Sequence, residues 1–433
     1  MAMDGKELVE KLAKLSQVQS IKDIPQLTHA LFPGTHCPLM GAAMAVGGIK
    51  DSLIVVVGTD ECTYYTKSMT IHSEKFGGID GRCVSVVLDD HDVTFGSAEK
   101  VQEAFKEIIE EYRPQCVFLV TTCVIEIIGD DFDAISEGLS ELYGIPVLPV
   151  HTEHFKCEDH LPGLERTITV CAEMMKSCDS DNSVNLLGQR MGDFATTELY
   201  AMLQKAGVKI GLQLPCGCSV DDIKNAAVAK VNIVVNDIAL PLAQKMQEKF
   251  GIPYVYFNKF VIPEKIYEAY KNLFGYLELE LPGELEGLYQ NAREKIEKNK
   301  GELEGITYIY GNTPYAVFEM NCFLSSLGMV PQVIQTNRYT EADEPYAKEI
   351  LQYTDPYVCK AANIAPLQYV YDVLSPYLYL GHEFGNRLRQ KGIAIVHSDR
   401  ASGMLGFEVT GYLLQQLVKS VREAKEYRKE LGL

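Results

Sequence analysis

No stretch of this 433-residue chain reaches the roughly 18–20 consecutive apolar residues that cross a bilayer, so membrane spans are excluded. Cations are scarce: 40 Lys and Arg stand against 59 Asp and Glu, a net charge of −19. A surface that grips nucleic acid needs clustered Lys and Arg, so a broad nucleic-acid interface is excluded as well. The Gly-x-Gly-x-x-Gly fingerprint is missing, which disfavours a nucleotide site inside the chain. The first residues, Met1-Ala-Met-Asp-Gly-Lys-Glu-Leu, are charged and lack the apolar core of a secretory signal. A cytoplasmic protein is therefore expected.

Cysteine, by contrast, is plentiful. Twelve occur, and in a reducing compartment they are not six disulfides. Cys83, Cys116, Cys171, Cys322 and Cys359 lie within or beside apolar runs and read as packed core thiols. Cys37, Cys62 and Cys123 differ, each standing at a loop or helix start beside Pro, Asp or Thr. Cys62 and Cys123 follow the apolar runs 53–57 and 117–120. Loops at the carboxyl ends of neighbouring parallel strands converge, and ligands bind there. Three soft donors meeting at such an edge suit an iron–sulfur cluster better than a lone redox thiol.

Apolar strand-like runs alternate with helical patterns nearly throughout, which implies an α/β fold with parallel sheets covered by helices. The length implies two or three domains. Strands are expected over 53–57, 83–88, 116–120 and 147–150, with helices over 98–112 and 132–143. The polar, turn-forming segment 177–183 reads as a boundary. A second series follows, with strands over 184–187, 208–212, 231–235 and 252–257 and helices between them. A charged helical connector covers 283–301. The third series opens with a strand over 306–310, continues with strands 330–335 and 393–396, and closes on a long amphipathic helix from Phe407. Three Rossmann-like α/β/α domains are thus expected, over 1–180, 181–300 and 301–433.

At the cysteines the chain resembles the nitrogenase component 1 family. Cys37-Pro-Leu-Met-Gly-Ala-Ala, Gly58-Thr-Asp-Glu-Cys62, and Thr121-Thr-Cys123 followed by Ile128-Gly-Asp-Asp131 match the family's three cluster-binding segments in order, most like its beta-type subunit. Val231-Asn-Ile-Val-Val, Phe250-Gly-Ile-Pro253, Gly381-His-Glu-Phe and Ile395-Val-His397-Ser extend the likeness over most of the chain. The resemblance implies three α/β/α domains and Cys37, Cys62 and Cys123 holding a [4Fe–4S] or [8Fe–7S] P-type cluster at a subunit interface. It implies an alpha-type partner subunit, in a heterotetramer, or a second copy of this chain. A separate ATP-dependent iron protein would supply electrons. The function implied is that of an oxidoreductase component, the iron–sulfur subunit of a nitrogenase-like two-component reductase. A cofactor-assembly scaffold and a homodimeric tetrapyrrole reductase of the F430 or protochlorophyllide type are the alternatives.

Three thiolates from one chain leave a cubane iron without a protein donor. Within His151-Thr-Glu-His-Phe-Lys-Cys-Glu-Asp-His160, either His154 or Cys157 could complete the set. The family's cofactor cysteine falls where this chain has Asn236, a poor iron ligand, so a catalytic cofactor is expected on the partner chain. His397 falls where the cofactor histidine would lie, and His382 stands near it in sequence; both are candidates for a substrate cavity. Cys216-Gly-Cys218 follows a strand end and is a candidate metal or redox pair. The acid pairs Asp89-Asp90 and Asp130-Asp131 read as turn and helix caps.

Overall fold

The computed structural model describes residues 4–27, 37–71, 82–157, 159–190, 192–311, 313, 315–360 and 364–433. The expected α/β architecture is observed, as three sheets that are parallel but for one short strand. The first orders its strands Cys83–Val87, Ser52–Gly58, Cys116–Thr121, Val147–Val150, all parallel. Ser52–Gly58 and Cys116–Thr121 are buried along their whole length, as an unbroken Leu-Ile-Val-Val-Val run demands of a strand covered on both faces. Because Cys83–Val87 pairs on one side and Cys116–Thr121 on the other, the connections diverge between the two central strands. That divergence opens a crevice at their carboxyl ends.

The second sheet repeats the scheme in the order Tyr254–Tyr256, Val231–Val234, Ser183–Gln189, Lys209–Pro215. The third is longer: Tyr357–Cys359, Val330–Gln335, Thr307–Tyr310, Leu378–Leu380 and Ala394–Val396, with Ala13–Lys14 antiparallel at its edge. Residues 13–14, which the sequence groups with the first block, thus belong to the third sheet. Helix Gly5–Glu10, just before them in the chain, joins the same block, its Leu8 in one apolar cluster with Ile309 and Val333.

One hydrophobic core joins the first two sheets. Ala42, Ala45 and Val46 of helix Pro38–Gly47, Ile54 and Phe118 of the first sheet, and Leu187, Leu214 and Val234 of the second all belong to it. A short parallel pairing of Ile49–Lys50 with Cys218–Ser219 reinforces the junction. The exposed segment 177–182 carries the chain between the two sheets. Among the described residues no helix is long and apolar enough to cross a membrane.

Candidate functional site

The three cysteines sit at three helix starts over the crevice of the first sheet. Cys37 is the N-cap of Pro38–Gly47, where Pro38 at the first helical position forfeits no intrahelical bond. Cys62 lies in the first turn of Asp60–Ile71, just beyond the central strand. Cys123 opens Cys123–Ile128 beyond the neighbouring strand. All three are free and half-buried. Helix N-termini carry positive potential and favour anionic groups, thiolates included.

Close backbone packing sets these positions. A Cβ at Gly58 would lie 2.2 Å from Thr122 Oγ1, so only glycine lets the two strand ends come together. Helix Pro38–Gly47 crosses helix Leu161–Val170 through a reciprocal glycine pair. A Cβ at Gly41 would stand 1.9 Å from the His160 carbonyl oxygen, and one at Gly163 1.8 Å from that of Pro38. The contact at Pro38 is adjacent to Cys37, so the crossing fixes where that thiol stands.

The thiols are near enough to act on one another electrostatically. Burial pushes the Cys62 thiol up first, and the charge of Cys37 pushes it further. Cys123 is likewise raised by burial first and then by the charges of Cys62 and Cys37. Burial and mutual repulsion favour the protonated thiols, and a shared cation would reverse that preference. Among the described residues no three His, Cys, Asp or Glu side chains converge closely enough to chelate one metal ion.

His154 stands beside the trio, its Nδ1 2.8 Å from Cys123 Sγ. It is carried on a turn, His154–Lys156, entered through Glu153 at φ 43°, a left-handed backbone that a non-glycine residue adopts only when held. The hold is visible. Glu126 Oε1 accepts from Thr121 Oγ1 at 2.6 Å and from the Glu153 N–H at 2.7 Å. Arg166 donates to the Thr152 carbonyl at 2.6 Å and to Glu153 Oε2 at 2.6 Å. Cys157 points elsewhere: its thiol lies 3.7 Å from the Thr152 carbonyl and 3.9 Å from Arg166 Nη1.

The remaining candidates fall into place as follows. Asp89 and Asp131 cap helices Asp90–Phe95 and Phe132–Tyr143, and Asp130 accepts from the Ser97 N–H at 2.7 Å. Cys116, Cys171, Cys322 and Cys359 are buried, while Cys83 is only half-buried. His382 and His397 are exposed at the carboxyl ends of neighbouring strands of the third sheet, and His382 Nε2 lies 3.3 Å from Asp399 Oδ1. Cys216 and Cys218 do not form a disulfide. Sequence reasoning missed the glycine crossing and the Glu126 brace. Gly41 inside a helical run was the available signal, since a mid-helix glycine costs about 1 kcal/mol against alanine and often reports close packing.

Four large, exposed apolar side chains stand on or beside the elements that carry Cys62, Cys123 and His154. Tyr64, Phe95, Ile127 and Phe155 are each more than two-thirds exposed. Tyr64 follows Cys62 by two residues, Ile127 rides the helix that Cys123 opens, and Phe155 follows His154. Phe95 ends the helix packed against Cys123–Ile128. Large apolar side chains grouped in this way mark interaction surfaces.

Comparison with known proteins agrees with this architecture. The nitrogenase iron-molybdenum cofactor biosynthesis protein NifE of Clostridium pasteurianum is 31% identical over 224 residues, which cover 51% of this chain and 49% of that protein. NifE of Rippkaea orientalis is 25% identical over 331 residues, 73% of this chain and 69% of the relative. The nitrogenase molybdenum-iron protein alpha chain of Methanosarcina barkeri is 24% identical over 330 residues, 72% of this chain and 62% of its own length. The chain thus spans from about half to somewhat over two-thirds of these relatives. The solved structure "Nitrogenase Cp1 at pH 6.5" superposes with a TM-score of 0.78 over 93% of this chain and 95% of that one, at 14% identity, a likeness of fold. The family profile described as "Nitrogenase component 1 type Oxidoreductase" matches residues 37–422, and the chain belongs to that family.

Proposed function

We propose that this chain is the iron–sulfur subunit of a nitrogenase-type two-component system, with Cys37, Cys62 and Cys123 as ligands of one cluster at a contact with a partner subunit. One observation carries the reading: three half-buried thiols on three helix starts over a strand-order crevice, with the charge of Cys37 acting on Cys62 and those of Cys62 and Cys37 acting on Cys123. The cluster would hold an electron between its arrival from an ATP-dependent iron protein and its transfer onward. The chain's own residues position and tune it. Three helix N-termini stabilise its negative charge. Glu126 and Arg166 hold the turn that sets His154 against Cys123, where the imidazole can donate to the sulfur or complete the ligand set. Cys157, engaged with Arg166, is the weaker candidate for that place. The exposed side chains of Tyr64, Phe95, Ile127 and Phe155 suit coverage by the partner subunit, which a three-thiol set needs in order to exclude solvent. Substrate or catalytic cofactor would then lie with the partner, with His397 and His382 as residues of a separate cavity.

A second reading has its own support. Relatives named as cofactor biosynthesis proteins, together with Asn236 in place of a sulfur donor, favour an assembly scaffold that carries the same cluster without turning over a substrate. The relatives reported above are biosynthetic proteins and an alpha chain, so a beta-type position rests on the three cysteine segments alone.

The test is Cys62→Ala in anaerobically purified protein. The variant should lose the brown thiolate-to-iron absorption and most bound iron and sulfide while melting cooperatively; full iron and sulfide would end the ligand assignment. Reductant-driven, ATP-dependent turnover with an added iron protein separates reductase from scaffold.

A further inference from the structure

We propose that Arg190 and Lys259 form a buried anion site at the carboxyl edge of the second sheet, for a small ligand presenting two negatively charged oxygens. The site is distinct from the cysteine trio and does not depend on the cluster reading.

Three loops build it. Arg190 directly follows strand Ser183–Gln189, Cys216 follows Lys209–Pro215, and Lys259 lies three residues beyond Tyr254–Tyr256. These strands flank the point where the connections of the second sheet diverge, between Val231–Val234 and Ser183–Gln189. Crevices of that kind receive ligands in open α/β sheets.

The contacts close the loops on one another. The Cys216 thiol donates to the Arg190 carbonyl at 3.2 Å. The Arg190 guanidinium reaches His160 of the first block, Nη2 to Nε2 3.5 Å, which leaves much of its donor fork uncommitted. Asn258 accepts from the Lys259 backbone N–H at 2.8 Å, and its Nδ2 is held by Asp237 and the Tyr256 hydroxyl, so the loop that aims Lys259 is itself fixed.

Charge balance is what calls for a ligand. Lys259 is only 7% exposed. Among the described residues neither its ammonium nor the Arg190 guanidinium forms an ion pair with a carboxylate; the Cys216 thiol faces both cations but burial pushes it up, towards the neutral form, and Asp159 acts on Arg190 less than Cys216 does. Each cation raises the cost of the other, and Lys259 is held down at about 8 by burial first and by Arg190 second. A buried ammonium beside a half-buried guanidinium, with no carboxylate paired to either, is strongly unfavourable unless something negative joins them. A planar Arg fork grips two oxygens at once and a Lys adds a point charge, a pairing suited to a phosphate-like oxyanion or a dicarboxylate.

The experiment uses the purified full chain, with thermal melts in chloride at fixed ionic strength and either inorganic phosphate or succinate as probe. The wild type should show a saturable rise in melting temperature with at least one of them; phosphate alone assigns an oxyanion, succinate alone a dicarboxylate. Lys259→Met removes the cation while keeping the bulk. It should melt at least as high as the wild type without probe, and its response should be at least about tenfold weaker. Arg190→Gln should weaken the response similarly and serves as the readout if Lys259→Met does not fold. Cys62→Ala should leave the response intact, which keeps this test separate from that of the cluster. No saturable response in the wild type, an equal response in Lys259→Met and Arg190→Gln, or a response lost in Cys62→Ala would overturn the assignment.

Discussion

Gly163→Ala places one methyl group where helix Leu161–Val170 touches helix Pro38–Gly47. The added carbon would meet the Pro38 carbonyl oxygen at 1.8 Å, and the obstacle is backbone rather than a movable side chain. Restoring van der Waals contact requires the helices to part by roughly 1.5–2 Å at that point. Alanine's better helix propensity returns about 1 kcal/mol, whereas overpacking of a tight contact costs about 1–3 kcal/mol or more. Because the obstacle is backbone, the cost belongs at or above the top of that range, and net destabilisation of about 2 kcal/mol or more is expected. The larger effect falls on the site. Cys37 adjoins Pro38 and moves with it, and metal–ligand distances tolerate only about 0.2 Å. Iron and sulfide per chain should therefore fall by more than the loss of stability alone explains. Gly138→Ala, within helix Phe132–Tyr143, is the control, because its Cβ would meet nothing within 4 Å. It should stabilise slightly and keep full iron. Melting curves and metal analysis of both variants after anaerobic purification make the comparison. A Gly163→Ala protein with unchanged melting temperature and full iron would refute the reasoning.

Further outcomes are expected. Glu126→Gln weakens the bonds to Thr121 and to the Glu153 N–H, and should cost about 1–3 kcal/mol by urea unfolding and lower iron content; wild-type values for both would remove its role as a brace. Glu319, in helix Val317–Ser326, is 4% exposed, and burial pushes its carboxyl up to about 7 from an ordinary 4.5. Between those values the folded chain holds a proton that the unfolded chain has lost, so this group's contribution to stability falls as pH rises from about 4.5 to 7. Glu319→Gln should flatten that slope, and melts at pH values within and above the window that match the wild type would contradict it. The chain alone should hydrolyse no ATP; sustained turnover without a partner would contradict the two-component reading.

Much of the fold was legible because its strands are buried on both faces and read as unbroken apolar runs. Ala98–Tyr112 and Phe132–Tyr143 stand where their periodicity and the terminal Gly144 place them. What escaped was set by contacts distant in sequence. Strands Leu378–Leu380 and Tyr357–Cys359 are three residues each, too short to carry a period. Helix Pro263–Leu277 opens on a proline that reads equally well as a turn. Nothing in Ala13–Lys14 announces pairing with residues 357–358, which lie far along the chain. At the candidate site the three cysteines were visible from their loop positions. Gly163 was not, since its importance lies in a carbonyl on another helix. Arg190 and Lys259 were silent for the same reason: a charge is unremarkable in sequence until burial without a partner makes it costly.

The central claim is that Cys37, Cys62 and Cys123 share one inorganic cluster at a contact between chains. An anaerobic density map of the native complex tests it most directly. The account predicts the three sulfurs bonded to irons of a single cluster, with Tyr64, Ile127 and Phe155 covered by a second chain. Three unligated thiols, or a cluster held without them, would contradict it.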